Sequence, residues 1–212
     1  LQSLTVDGGG TTNFGSNVTT IGDTTISDSS VLTGNLTFNG ATVTFGGTVN
    51  GDGAGSRDSL TVNASTAANL DGAVGGTDAL SAVALTAPSI RLVSVTTNGV
   101  QSYTGTATLN GTLDSTGAGA ITFTGNLLVS GTSTIRTAGN AVSDDINITG
   151  TINSTNGTNG LTLLVQGSRL GDVTLGGAVG GSSPLADLTI TAATLALRDV
   201  TTVGNQLYTA AT

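Results

Sequence analysis

The chain has 212 residues, enough for one domain or one stretch of a repeat array. It contains no His, Cys, Met, Trp, Lys or Glu, so all thirteen acids are Asp and all five bases are Arg. A formal charge of −8 with five scattered Arg argues against a nucleic-acid partner, and no apolar run approaches the ~20 residues of a membrane span.

Leu, Val, Ile and Phe make up 54 residues, about a quarter of the chain. That exceeds the roughly 20% below which burial cannot offset the entropy of ordering. Folding is therefore expected, with nearly every aliphatic inside. Residue 1 is Leu rather than Met, so the chain reads as processed or as part of something longer. The absence of Cys fits an exported protein as well as a cytosolic one, whereas the absence of Lys and Glu, with Thr, Asn and Gly dominant, leans towards an extracellular protein.

Along the chain, apolar residues alternate with Thr or Asn. Leu4-Thr5-Val6, Leu36-Thr37-Phe38, Val43-Thr44-Phe45 and Leu60-Thr61-Val62 are followed by Ile121-Thr122-Phe123, Ile146-Asn147-Ile148, Val173-Thr174-Leu175 and Leu188-Thr189-Ile190. Period two with β-branched residues predicts strands, here of three to six residues each. Gly or Asn-Gly closes them, as at Asn39-Gly40, Gly46-Gly47, Asn50-Gly51, Asn110-Gly111 and Gly176-Gly177. The fold class is all-β.

The chain also repeats itself. Gly72-Ala73-Val74-Gly75-Gly76 recurs as Gly177-Ala178-Val179-Gly180-Gly181, an offset of 105 residues. The register continues through Leu80 and Leu185, then Val95-Thr96-Thr97 and Val200-Thr201-Thr202, to Gln101/Tyr103 and Gln206/Tyr208. A weaker copy opens at Leu1, and Thr48-Val49-Asn50 parallels Thr151-Ile152-Asn153. The copies run over approximately 1–79, 80–184 and 185–212, the last incomplete, in one repetitive array. Short strands, small-residue corners and six aromatics point to a parallel β-solenoid (β-helix) with about 20–25 residues per coil, hence a rod roughly 45 Å long. Antiparallel β-sandwich modules are the alternative.

The phrases SLTVNASTAANLDGAVGG, LSAVALTA…VTTNGVQSYTGTATLNG and TFGGTVNGDGAGSRDSLTVN resemble the repeats of giant bacterial surface proteins. Those are the filamentous-haemagglutinin-like and autotransporter-like β-strand-repeat proteins. The resemblance implies a secreted or cell-surface protein with adhesive or scaffolding work, although no secretion signal or anchoring barrel is seen in the sequence.

No catalytic site is expected, because the usual general bases and activated nucleophiles are missing. The one adjacent acid pair, Asp144-Asp145, reads as a polar turn before the strand at Ile146. The segment from Asn50 to Asp58 gathers oxygen ligands and glycines, so Asp52 and Asp58 form a weak calcium candidate. Arg57 pairing with a nearby Asp is the competing account. Asn-x-Ser/Thr occurs at Asn17, Asn35, Asn63, Asn110, Asn147, Asn153 and Asn156. Thr-x-Thr pairs such as Thr42/Thr44 and Thr122/Thr124 suggest ice binding, but their irregular spacing argues instead for a solvated outer face.

The expected function is structural: a segment or subunit of an extracellular adhesin, filament or matrix, acting as a stiff scaffold without cofactor or metal. A solenoid's end coils expose unpaired N–H and C=O groups. Leu1 to Val6 and Val200 to Tyr208 are therefore expected to meet flanking repeats or identical subunits end to end. The alternative is a module that grips host or matrix glycans, with Tyr103 and Tyr208 as a repeated platform.

Overall fold

The computed structural model describes residues 1–53, 58–167 and 171–210. It is a β-solenoid of about nine turns, with no helix among the described residues. Every strand pairing among those residues is parallel, in three sheets of thirteen, six and three strands. No antiparallel pairing occurs there, which sets aside the sandwich alternative.

Each complete coil has three faces. The first carries Ile121–Thr124, Ile146–Ile148 and Val173–Leu175, each stacked on the one before. The second carries Leu4–Val6, Thr24–Ile26, Leu127–Val129 and Ile152–Ser154. The third begins with Thr11–Phe14, Ser29–Leu32 and Val49–Gly51. It passes through the bridges of Val74 to Val49 and Val95 and continues to Leu188–Ala192 and Gln206–Ala210. Coil length varies widely: Val83 pairs with Gln101, 18 residues on, whereas Ile146 pairs with Val173, 27 residues on.

In-register stacking turns the alternating sequence into continuous columns. Phe38, Val62, Leu85, Tyr103, Phe123, Ile148 and Leu175 lie one above another, all buried. Phe38 also meets Phe14 and Phe45 edge to face, with ring centroids 5.3 and 5.0 Å apart. The interior is thus one narrow aliphatic stack, and each inward residue is covered by those above and below.

Some strands are longer than the sequence suggests. Asn35–Phe45, Ser59–Leu70 and Ala82–Leu92 each run across two faces, and their pairing continues through the corner with a register shift. Small residues let the backbone bend without breaking the ladder, Gly40 pairing with Ala64 there. Higher up, Gly105, Gly125, Gly150 and Gly177 stack at the same corner. A Cβ on Gly125 would enter the carbonyl of Gly105, one on Gly150 that of Gly125, and one on Gly177 that of Gly150. Gly105 and Gly125 also hold φ of +131° and +138°, outside the range of L side chains.

The 105-residue offset is not a whole number of coils. Val74 lies on the third face and Val179 on the second; Tyr103 lies on the first face and Tyr208 on the third. The second copy therefore sits four turns and two-thirds above the first, with the same local structure on a neighbouring face. Asn50 Oδ1 accepts from the N–H of Thr77 and Asp78, and Asn153 Oδ1 accepts from Ser182 and Ser183 in the matching way. The three faces are interchangeable environments.

Gly125→Val should lower the unfolding free energy by about 3 kcal/mol or more, combining overpacking with backbone strain. Gly157→Ala, with φ +77° but open space around its Cβ, should cost about 1–2 kcal/mol. Guanidinium melts of the two variants check the contrast.

Candidate functional site

No pocket or cleft opens into the described coils, and no group of three acids among the described residues is arranged to hold a metal ion. The features that stand out are one buried polar network and a set of corner side chains that tie coil to coil.

The network grows from the cassette repeated at 105 residues. Gln101 faces inward in an otherwise apolar column, between Val83 and Ile121, and is buried. Its Nε2 donates to Asp114 O (3.0 Å), Thr97 Oγ1 (3.1 Å) and Val95 O (3.3 Å). Its Oε1 accepts from the Tyr103 hydroxyl at 2.8 Å. Thr97 Oγ1 donates to Gly99 O at 2.6 Å, and Ser115 Oγ donates to the same carbonyl at 2.9 Å. The buried amide and phenol are thus satisfied. Burial pushes the Tyr103 phenol far above the ordinary tyrosine value.

Corner Asn and Asp side chains accept backbone N–H groups from the coil above. Asn17 Oδ1 takes Thr37 N (2.8 Å), Asp23 takes Thr42 N (3.0 Å) and Asn126 takes Thr151 N (3.0 Å). Asp145 takes Asp172 N (2.8 Å), Asp172 takes Thr194 N (3.1 Å) and Asp187 takes Asn205 N (2.6 Å). Each closes a donor that the corner would otherwise strand. The acid pair Asp144-Asp145 is divided by this arrangement. Asp144 is buried and its carboxylate holds Gly119 N (2.7 Å) and Ala141 N (2.8 Å), while Asp145 serves the coil above.

The other expected sites fare as follows. Asp58 is buried and its carboxylate accepts Asp52 N at 3.1 Å; the middle of that loop, including Arg57, lies outside the described residues. Among the acceptor asparagines, Asn17, Asn35, Asn63, Asn110 and Asn156 are exposed. Outer threonines form no unbroken lattice, since Thr122 stands between Ser102 and Asn147. The tyrosine platform is overturned: Tyr103 is wholly buried, Tyr208 is 38% exposed, and they lie on different faces. Equal sequence context did not make equal exposure, because Tyr103 has a coil above it in the structure.

At the lower end, Leu4–Val6 and Thr11–Phe14 each pair on one side only, with Thr24–Ile26 and Ser29–Leu32. At the upper end, Leu195–Ala196 and Gln206–Ala210 likewise pair only downwards, and Val200 and Thr202 bridge only to Val179 and Leu185. Leu1, Val203, Leu207 and Tyr208, four of the seven exposed large hydrophobics among the described residues, belong to these end coils.

Comparison with protein-family models, curated proteins and solved structures returned no match.

Two outcomes follow. Asp144→Ala should cost about 2–4 kcal/mol by leaving two N–H groups unpaired, read as a lowered melting temperature with unchanged far-UV circular dichroism at 20 °C. The second concerns alkaline pH. The Tyr103 phenol is raised in the fold and ordinary (10.0) when unfolded, so its contribution is intact below pH 10. Above pH 10 the unfolded state loses the proton first, and stability should fall by about 1.4 kcal/mol per pH unit. Tyr103→Phe should cost about 1–3 kcal/mol at pH 7, by stranding the Gln101 carbonyl, yet flatten that alkaline slope. Denaturant melts between pH 9 and 12 check both.

Proposed function

We propose that the chain is a stiff structural segment of an extracellular bacterial adhesin, filament or matrix, like the β-strand-repeat surface proteins its motifs resemble. The supporting observation is the parallel ladder that runs along the axis through the described residues. Parallel coils resist bending because any hinge must break several axial hydrogen bonds and part the aliphatic columns together. The outward Thr, Asn and Ser keep such a rod soluble with charged residues at only 8% of the chain. Interchangeable faces suit an array, because a further copy can be added at any third of a turn without redesigning the interior.

Negative-stain imaging of the purified chain should show rods about 45 Å long. A tandem fusion of two copies should give straight rods about twice that length. Antibodies to the chain should label the outer surface of the source cells. Compact or hinged particles, or labelling confined to the cell interior, would overturn this reading.

A further inference from the structure

Asn-Gly steps occur at Asn39-Gly40, Asn50-Gly51, Asn98-Gly99, Asn110-Gly111, Asn156-Gly157 and Asn159-Gly160. In such a step the glycine nitrogen, unhindered by a side chain of its own, can close onto the asparagine side-chain carbon to form a five-membered ring. Closure needs the connecting peptide to rotate and the side chain to be free to approach. The fold meets those needs very unequally.

Four of the steps are held. Gly40 lies inside the ladder opposite Ala64, and the Asn39 side chain bridges Thr19 and Asn63. Gly51 N donates to Asp78 O (3.1 Å), while Asn50 Oδ1 accepts the N–H groups of Thr77 and Asp78. Gly157 N donates to Ser154 Oγ (2.9 Å), and Asn156 Oδ1 accepts from Thr158 N (3.0 Å) and Thr158 Oγ1 (2.8 Å). Asn159 is buried, its Nδ2 donating to Val129 O, Ser154 Oγ and Thr155 Oγ1. At the fifth, Asn110, only the peptide is restrained, by Gly111 N donating to Ser133 Oγ at 3.3 Å.

Asn98-Gly99 differs. Asn98 is exposed, and neither its C=O nor the Gly99 N–H is hydrogen-bonded among the described residues. The anchors sit just outside that peptide: Asn98 N donates to Leu80 O (2.7 Å), and Gly99 O accepts from Thr97 Oγ1 (2.6 Å) and Ser115 Oγ (2.9 Å). Asn98 Oδ1 accepts from Thr116 Oγ1 (3.0 Å), whose hydrogen is shared with Thr97 O (3.1 Å). The repeat keeps Gly204 and its bond from Thr202 but has Val203 where Asn98 stands, so the corner itself does not require an asparagine.

We infer that Asn98 is a site of self-modification in the folded chain, closing to a succinimide that water opens to aspartate and isoaspartate. Gly99 N loses its proton to solvent and bonds to Asn98 Cγ. The Cγ–Nδ2 bond breaks, and that nitrogen leaves as ammonia with a proton regained from solvent. Negative charge gathers on Oδ1 as the nitrogen adds, and the Thr116 hydroxyl donates to that oxygen. Water then opens the ring at one carbonyl to give aspartate, or at the other to give isoaspartate. Either product adds a negative charge, and isoaspartate also inserts a methylene into the main chain between the Leu80 and Gly99 anchors. Gly99 O is bonded to Thr97 and Ser115, and Thr97 to Gln101, so the change reaches the buried network.

The test holds the native chain at pH 8 and 37 °C and follows every Asn-Gly step by tandem mass spectrometry of its peptides. Labelling by an L-isoaspartyl methyltransferase reads the isoaspartate. Asn98 should convert first, about fivefold or more ahead of Asn39, Asn50, Asn156 and Asn159, each of which must open a hydrogen bond before it closes. Asn110 should come second. In concentrated urea all the steps should converge on one rate, because each is then followed by the same free glycine. Thr116→Val should slow Asn98 about fivefold in the native chain and leave its rate in urea unchanged, whereas Thr116→Ser should keep the native rate. Asn98→Ser should remove the earliest isoaspartate signal and preserve the circular dichroism of the parent. An Asn98 that stays intact in the native chain while reacting in urea overturns the inference. So does an Asn98 outpaced by any of the four held steps, or one that reacts faster in Thr116→Val.

Discussion

The structure depends on axial registry: every coil must set its backbone about 4.8 Å above the last, residue over residue. Hydrogen bonds parallel to the axis enforce that spacing, and the aliphatic columns follow from it. Phe38, Val62, Leu85 and Tyr103 need share no resemblance in sequence position, since pairing alone places them in one stack. Variation in coil length is then pushed to the corners. The coil from Val83 to Gln101 takes 18 residues and that from Ile146 to Val173 takes 27, and part of the difference is residues 155–160, which lie between strands where the shorter coil has only 93–94.

Corners therefore carry two demands at once. The chain must turn without lifting off the coil below, which selects glycines such as Gly125 and Gly150 whose Cβ would strike the carbonyl beneath. It must also satisfy N–H groups that the bend takes out of the ladder. A side-chain carbonyl one methylene from the backbone reaches the next coil, and Asn17, Asp23, Asn126 and Asp187 do this in the same way. Glutamate would overshoot by a methylene. That reach suits Asp and Asn at these corners.

Much of this fold is legible in the sequence. The triplets around Leu36, Leu60, Ile121 and Ile146 alternate cleanly, and all end with their apolar residues inward. Strand length was not legible, because whether pairing persists through a corner depends on what lies above and below: Gly40 bends inside a strand only because Ala64 continues the ladder over it. The tyrosines mislead for a related reason. Identical contexts around Tyr103 and Tyr208 encode identical local bonds, but exposure belongs to the stack and not to the cassette. The Asp144 latch carried a readable sign, an acid beside a second acid before a strand, though its partners Gly119 and Ala141 are set by the coil closure.

The same registry explains the near absence of charge on the flanks. Stacking places like residues about 4.8 Å apart, where two like charges repel by roughly 1 kcal/mol in bulk water and by about 3–4 kcal/mol at an effective dielectric of 20. A rod with Lys or Glu at every rung would accumulate that repulsion along its length, whereas neutral ladders such as Asn39 on Asn63, joined at 3.0 Å, add attraction. Charges persist where the rung beside them compensates. Arg136 forks onto Asp114 directly across the ladder, which raises its basicity further, and Arg91 meets Asp71 at 2.6 Å. Asp145 and Asp172 follow one another up a corner, yet each carboxylate binds an N–H of the coil above. A flank built this way sets no electrostatic limit on the number of coils.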